Sequence, residues 1–295
     1  MGCNLSGETK GKGVLYVCAT PIGNLRDITL RALDVLRMVD FIVAEDTRVA
    51  KRLLNSYEIK KPVISFHEHS PKSRLRQLLK LLEGGRSIAI ISDAGTPCIS
   101  DPGAEIVNAA LSCGYKVVPI PGPSAAVVAL SAAGMRAQRF VFLGFLPRDR
   151  KDRCELLSEV SNWRHPIVIY EAPHRLKETL KDLLSILGNR RVVVARELTK
   201  QFEEIFATDL EGALKRYTLT EPIGEFTLVV EGAKGSCVTK PMTCDDEIGN
   251  FIRSKLMNGL TTKEIVRELM AKLKMRRKEA YERTIAIRRS IQRSP

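Results

Sequence analysis

Ser87-Ile88-Ala89-Ile90-Ile91 runs straight into Ser92-Asp93-Ala94-Gly95-Thr96-Pro97-Cys98-Ile99-Ser100-Asp101-Pro102-Gly103, and the reading of this stretch decides the fold. The apolar run, rich in β-branched residues, predicts a buried strand, and Ala104 to Cys113, at helical spacing, predicts the helix after it. The loop between them packs two Ser-Asp pairs, two Pro and two Gly into twelve residues. Gly lets backbone approach a ligand closely, Pro stiffens the path, and Asp either caps backbone N–H groups or accepts hydrogen bonds from a ligand. Such a loop at the C-terminal end of a strand lies where open α/β sheets bind their ligands. A rigid connector with Asp caps is the plain alternative; two Ser-Asp turns side by side favour a functional loop.

Outward from this loop the pattern repeats. Val14 to Ala19, Phe41 to Ala44, Val63 to Ser65, Ser87 to Ile91 and Lys116 to Pro119 read as strands, alternating with helical stretches at Thr29 to Met38, Ser73 to Glu83 and Ala104 to Cys113. That is an α/β layout with a mainly parallel sheet. Pro119-Ile120-Pro121-Gly122-Pro123 breaks the rhythm and marks a domain boundary. Strands resume at Phe140 to Gly144, Pro166 to Tyr170, Arg191 to Arg196, Glu203 to Ala207 and Gly224 to Glu231. Helices are expected at Ser124 to Ala133, Arg150 to Asn162, Arg175 to Leu187 and Leu210 to Tyr217. The shorter connections late in this half point to a mixed sheet. A Gly-, Ser-, Thr- and Pro-containing linker runs through Thr243, followed by three helices near Asp245 to Met257, Thr262 to Leu273 and Arg276 to Ile291. Thr261 or Thr262 can cap the second. The expected spans are a flexible tail over 1–12, α/β domains over 13–121 and 122–235, and a helical domain over 244–295.

The chain of 295 residues carries a formal charge of +13, and from Lys263 onward eleven Lys and Arg face four Asp and Glu. A basic last helix in a helix-turn-helix-like tail suits nucleic acid, although a solvated charged face is the bland alternative. Seven Cys lie far apart without a Cys-x-x-Cys pair, which suggests neither disulfides nor a zinc knuckle and fits a reducing cytoplasm. No signal peptide or membrane span is read, and no membrane partner is expected.

The chemistry-bearing groups gather at strand ends. Thr20-Pro21-Ile22-Gly23-Asn24-Leu25 ends the first strand and Glu45-Asp46-Thr47-Arg48 the second; His67-Glu68-His69 follows the third. Glu45 or Asp46 can act as a base, or Asp46 can cap the next helix with Arg48 as its ion pair. The His-x-His spacing lacks enough further ligands for a metal, so none is expected. From the second half come Arg148, Glu171, Arg175, Arg196, Glu197, Lys200 and Glu225, a set suited to a cleft for a polar, anionic substrate. Gly-x-Gly-x-x-Gly, the P-loop pattern and a nucleophile elbow are all absent from the sequence.

Taken together, the Ser92 to Gly103 loop, Thr20 to Leu25, Glu45 to Arg48, Pro121 to Ala125, Tyr170 to Arg175 and Arg196 to Lys200 resemble the ribosomal RNA small subunit methyltransferase I family of the tetrapyrrole methylase superfamily. Ser70, after His67-Glu68-His69, stands where that pattern leads one to expect Asn. The resemblance implies two α/β domains of the tetrapyrrole methylase type, with a mainly parallel N-terminal sheet and a mixed second sheet, plus the small helical domain. It implies a homodimer with S-adenosylmethionine in the cleft, in the cytoplasm, acting on the ribose 2′-oxygen of a cytidine in 16S rRNA of the 30S subunit, at the decoding centre. The cofactor contacts it implies are Pro21, Asp93, Ala94, Gly95, Ile99 and Ser124, with Tyr170, Ala195 and Thr227 from the second domain; Cys98 is assigned no chemistry. Proton removal from a ribose hydroxyl needs a base, for which Glu45, Asp46 and Lys200 are the candidates. Arg26, Arg48, Arg148, Arg175 and Arg196, with Arg276, Arg277 and Lys278 in the tail, are the expected RNA contacts. Asp101 and Pro102 are expected only to shape the turn. The competing readings are a relative of the same fold acting on a tetrapyrrole or a translation-factor side chain, and a non-enzymatic RNA-binding protein with a degenerate cleft.

Overall fold

The five apolar runs of the first half form one parallel sheet. In the computed structural model, which describes residues 12–233, 251–252, 255–256, 260–273 and 277–292, the chain divides into two compact units, Met1–Lys234 and Gly235–Pro295. The first unit opens with β1 (Val14–Cys18), α1 (Leu30–Met38), β2 (Phe41–Ala44), α2 (Thr47–Ser56), β3 (Val63–Ser65), α3 (Lys72–Glu83), β4 (Ile88–Ile90), α4 (Ala104–Ser112) and β5 (Lys116–Ile120). The strand order is β3-β2-β4-β1-β5, every neighbouring pair parallel. Strands of a parallel sheet are buried on both faces and so read as continuous apolar runs. Here Ile88 and Ile90 pack with Leu78, Leu82 and Ile106 of α3 and α4, while Ala89 and Ile91 pack with Ala32, Leu36, Ala50 and Leu54 of α1 and α2. Helix α2 is missing from the helical stretches read off the sequence. Its signal was present nonetheless: Val49, Ala50, Leu53 and Leu54 recur at helical spacing on one face, behind the cap at Asp46.

The second half adds α5 (Ala125–Ala132), β6 (Val141–Phe145), α6 (Arg150–Glu159), β7 (Ile167–Glu171), α7 (Pro173–Leu187), β8 (Arg191–Arg196), β9 (Glu204–Asp209), α8 (Leu210–Leu219) and β10 (Phe226–Val230). Its order is β6-β7-β10-β8-β9; β6 and β7 are parallel and the other pairs antiparallel. Leu157, Leu176, Leu180, Leu183 and Leu210 of α6, α7 and α8 cover one face. Helix α5 covers the other with small residues, Ala126, Ala129 and the following Ala133 meeting Val168, Val193 and Val229, and Ile22 joins this cluster from the loop after β1. A buried ion pair ties α6 to α7: the Arg153 guanidinium donates to Asp182 at 2.7 and 2.9 Å.

The second unit contains α9 (Thr262–Leu273) and α10 (Arg277–Gln292). Thr261 starts α9 with a capping box: its hydroxyl accepts from the Glu264 N–H at 3.4 Å, and the Glu264 carboxylate accepts from the Thr261 N–H at 2.8 Å. Ile265, Leu269 and Ala280 are buried between the two helices, and Arg288 donates to the Thr262 hydroxyl at 2.9 Å. The expected tail lies outside the described residues up to residue 11, as do most of the linker, most of the Asp245 to Met257 helix, and Arg276.

Candidate functional site

Loops from three strand ends of the first sheet are stitched into one frame. The Thr20 N–H donates to the Gly95 carbonyl at 2.8 Å and the Gly95 N–H to the Thr20 carbonyl at 3.1 Å. The Thr20 hydroxyl donates to the Ser92 carbonyl at 3.1 Å, the Ser92 hydroxyl to the Gly95 carbonyl at 3.0 Å, and the Thr96 hydroxyl to the Pro123 carbonyl at 3.0 Å. Gly95 sits at φ +81°, where an added Cβ would lie 3.3 Å from Ile22, so glycine is dictated by conformation as well as space. Cys98 holds a φ of +69° in the same loop, a costly state for a side chain other than glycine and one that concentrates at functional loops. The Asp93 carboxylate accepts from the Asp46 N–H at 3.3 Å, and burial raises its pKa.

Against this frame lies a cavity of about 400 Å³. Eight of the nine expected cofactor positions line it: Asp93, Ala94, Gly95, Ile99, Ser124, Tyr170, Ala195 and Thr227. Pro21 does not, because it is buried within its turn and its neighbour Ile22 presents the wall instead. Asp93 and Asp101 come from the first sheet's loop; on the second sheet's side Ala195, Leu198 and Phe226 give an apolar surface, with Glu171 and Glu225 beside it. The Tyr170 hydroxyl accepts from the Ala126 N–H at 2.9 Å, and its ring meets Phe142 and Phe145 edge-on at centroid distances of 4.9 and 5.6 Å. The sequence reading missed Ile22, Phe145 and Leu198 as wall residues. Ile22 and Leu198 lie inside quoted motifs and Phe145 directly follows a strand read from the sequence, but only the sheet packing shows which way each faces.

A second hollow of about 440 Å³ adjoins the first, lined by Glu45, His67 and Glu68 beyond β2 and β3 and by residues 100–105. Ser100 and Asp101 line both cavities. Burial, then the charges of Glu45 and Asp93, push the Asp101 carboxyl up to about 6. Burial and Asp93 raise Glu45 as well. Among the described residues no group of three or more His, Cys, Asp and Glu is arranged to hold a metal.

Two of the candidate bases are otherwise engaged. Asp46 caps α2, accepting from the Arg48 N–H at 2.7 Å and pairing with its guanidinium at 2.6 Å, which holds its pKa at about 2. Lys200 lies 2.9 Å from carboxylates of both Glu197 and Glu225. Burial opposes its charge, but the two pairs outweigh it and hold its pKa above that of an ordinary lysine. Glu45 alone of the three opens onto a cavity.

The expected phosphate contacts divide in the same way. Arg26 and Arg148 are exposed. Arg48 is exposed but paired. Arg175 donates to the Leu146 and Pro147 carbonyls at 2.7 and 3.0 Å and sits 3.5 Å from the buried Glu171. Arg196 donates to the Ile223 carbonyl at 2.6 Å and faces Glu204 at 3.7 Å. These last two serve the fold. Glu171 does the same, accepting from the Thr179 hydroxyl at 2.6 Å. In the second unit Lys278 is exposed on α10, where Arg277 is the first residue.

The sequence matches the family model for Tetrapyrrole (Corrin/Porphyrin) Methylases over residues 14–213. It is 42% identical over 276 residues to the Ribosomal RNA small subunit methyltransferase I of Synechocystis sp., covering 93% of this chain and 98% of the relative. The Bacillus subtilis protein of the same name is 41% identical over 276 residues, covering 92% and 93%. In structure the chain is similar to the methyltransferase CobJ, with a TM-score of 0.57 at 18% identity over 75% of this chain and 95% of that one. It is likewise similar to the cobalt precorrin-4 methyltransferase CbiF, with a TM-score of 0.54 at 18% identity over 73% and 94%. At that identity the likeness is one of fold. Matched motifs, sheet topology and kinship over nearly the whole length agree: this chain belongs to the tetrapyrrole methylase family and, within it, to the ribosomal RNA small subunit methyltransferase I group.

Proposed function

We propose that this chain methylates RNA of the small ribosomal subunit from S-adenosylmethionine, at the ribose 2′-oxygen of a cytidine in 16S rRNA at the decoding centre, acting in the cytoplasm as a homodimer. The supporting observation is the first cavity, in which carboxylates face an apolar, aromatic wall across stitched strand-end loops. Its volume falls at the lower end of the ~300–1,000 Å³ usual for small-molecule sites. Asp93 suits the positive charge of S-adenosylmethionine, and Ala195, Leu198 and Phe226 suit a flat heteroaromatic base. When bound, the cofactor supplies an electrophilic methyl on a positively charged sulfur, which keeps the carbon–sulfur electron pair as it becomes a neutral thioether.

The chain's own residues do the rest. The Thr20–Gly95 bridge fixes the cradle, and Arg26 and Arg148 offer exposed guanidinium groups to phosphate oxygens. The net charge of +13, concentrated toward the C-terminus, supports a polyanionic substrate over a tetrapyrrole or a protein side chain. In this reading 13–121 and 122–235 are the two lobes that hold the cofactor, and 244–295 is an RNA-binding domain. The test incubates the purified protein with labelled cofactor and 30S subunits from cells lacking the enzyme. Label is expected on one cytidine ribose of 16S rRNA, read as a bond resistant to alkali because the 2′-oxygen is blocked. Label on a base, on ribosomal protein or nowhere overturns the reading, and the elution mass of the free protein checks the dimer.

A further inference from the structure

We propose that Asp101 is the proton acceptor for the hydroxyl that is methylated, with the acceptor nucleoside entering from the second cavity. The inference rests on the RNA-methylation reading above and adds to it the group that performs the chemistry. Its ground is position. Asp101 lines the first cavity, where the methyl donor belongs, and also lines the second. A hydroxyl entering the second hollow therefore meets Asp101 on its way to the donor. Phe66 and Pro102 give that hollow apolar contact surface, and its carboxylates repel phosphate while they can accept from an exocyclic amine such as that of cytosine.

The carboxylate is available. Among the described residues it makes neither a hydrogen bond nor an ion pair, unlike Asp46, which caps a helix. Facing it are Glu45 at the end of β2, Asp93 and Cys98 of its own loop, and Tyr170 of β7. His67, Glu68 and Glu105 share the second cavity; across the first, Glu225 is paired with Lys200 and Glu171 is bonded to Thr179. Burial, and then the negative field of Glu45 and Asp93, push its pKa up to about 6, nearer the neutral range where a general base is most effective.

In the step itself the hydroxyl oxygen bonds to the methyl carbon, whose bond to the donor sulfur breaks with the electron pair left on sulfur, while the hydroxyl proton passes to an Asp101 carboxylate oxygen, leaving a neutral carboxylic acid that surrenders the proton to water afterwards. Glu45 serves as a positioning charge, raising the basicity of Asp101.

Carboxyl-carbon NMR of the full-length protein, labelled at aspartate, provides the first readout. One aspartate is expected to titrate near pH 6, to vanish in Asp101→Asn and to move to lower pH in Glu45→Gln. In methyl transfer to unmodified 30S subunits, Asp101→Asn is expected to lose about 10²-fold or more in kcat while its calorimetric affinity for S-adenosylmethionine stays near that of the unaltered protein. The rate of the unaltered protein rises with pH along an acid limb that Glu45→Gln shifts downward. Transfer by Asp101→Asn at an undiminished kcat, or a loss confined to KM, overturns the role of Asp101 and leaves the RNA reading standing. If Asp101→Asn binds no cofactor, an aspartate signal or acid limb unmoved by Glu45→Gln overturns it. No transfer to RNA by the unaltered protein overturns both.

Discussion

At the level of single residues, Asp101 should weaken the fold in the pH range where it is charged. Its native pKa is raised from 3.8 to about 6, so the native state binds the proton more tightly than the unfolded chain does. Stability from this group is therefore full below the unfolded value and is lost as pH rises through about 6. An amide in its place resembles the protonated acid at every pH. Urea unfolding should show Asp101→Asn matching the unaltered protein below pH ~4 and exceeding it above pH ~7 by on the order of 2 kcal/mol. Equal stabilities at the higher pH would mean that the carboxylate is not in the environment described. Gly95 makes the opposite prediction. A methyl group there must adopt a left-handed backbone and press on Ile22, so Gly95→Ala should cost more than ~1 kcal/mol in unfolding free energy and weaken S-adenosylmethionine binding in calorimetry.

Among the elements, α6 and α7 depend on a charge pair with 4% of each side chain exposed. Removing one partner strands the other in a poorly hydrated site, so Asp182→Ala should destabilise the chain by about 3–5 kcal/mol, while an apolar replacement of both Arg153 and Asp182 should recover much of that; denaturant midpoints decide. Nothing in the sequence pairs these two residues, which lie on separate helices. The strands were easier to read. Phe41–Ala44, Val63–Ser65 and Arg191–Arg196 have the same ends in sequence and in structure, because polar residues or proline flank each apolar run. Helix α2 was just as legible, since Val49, Ala50, Leu53 and Leu54 recur at helical spacing behind the Asp46 cap, and nothing physical hid it. The site was legible as a set of motifs and illegible as an arrangement. That Arg175 and Arg196 spend their donors on backbone carbonyls, and that Asp101 adjoins Glu45, both follow from long-range pairing of strands, which no local pattern encodes.

For the whole molecule, charge and topology set the behaviour. If the basic C-terminal residues meet phosphate, affinity for 30S subunits should fall steeply with salt, and deleting 244–295 should lower both the affinity and the magnitude of the salt slope while cofactor binding by the remainder persists. A filter-binding series across salt concentrations measures this, and an unchanged slope would remove the tail from the RNA contact. The order of strands has a further consequence, for how the protein comes into being. In each sheet a strand late in the chain lies between earlier ones: β4 between β2 and β1, and β10 between β7 and β8. During translation neither sheet can be completed from its N-terminal end, and the wall bearing Thr227 arrives with the last strand. The nascent chain therefore cannot be stabilised by its own ligand until Val230 has cleared the exit tunnel, and a chain broken off before Phe226 leaves β7 and β8 without the neighbour that separates them, two bare strand edges open to aggregation.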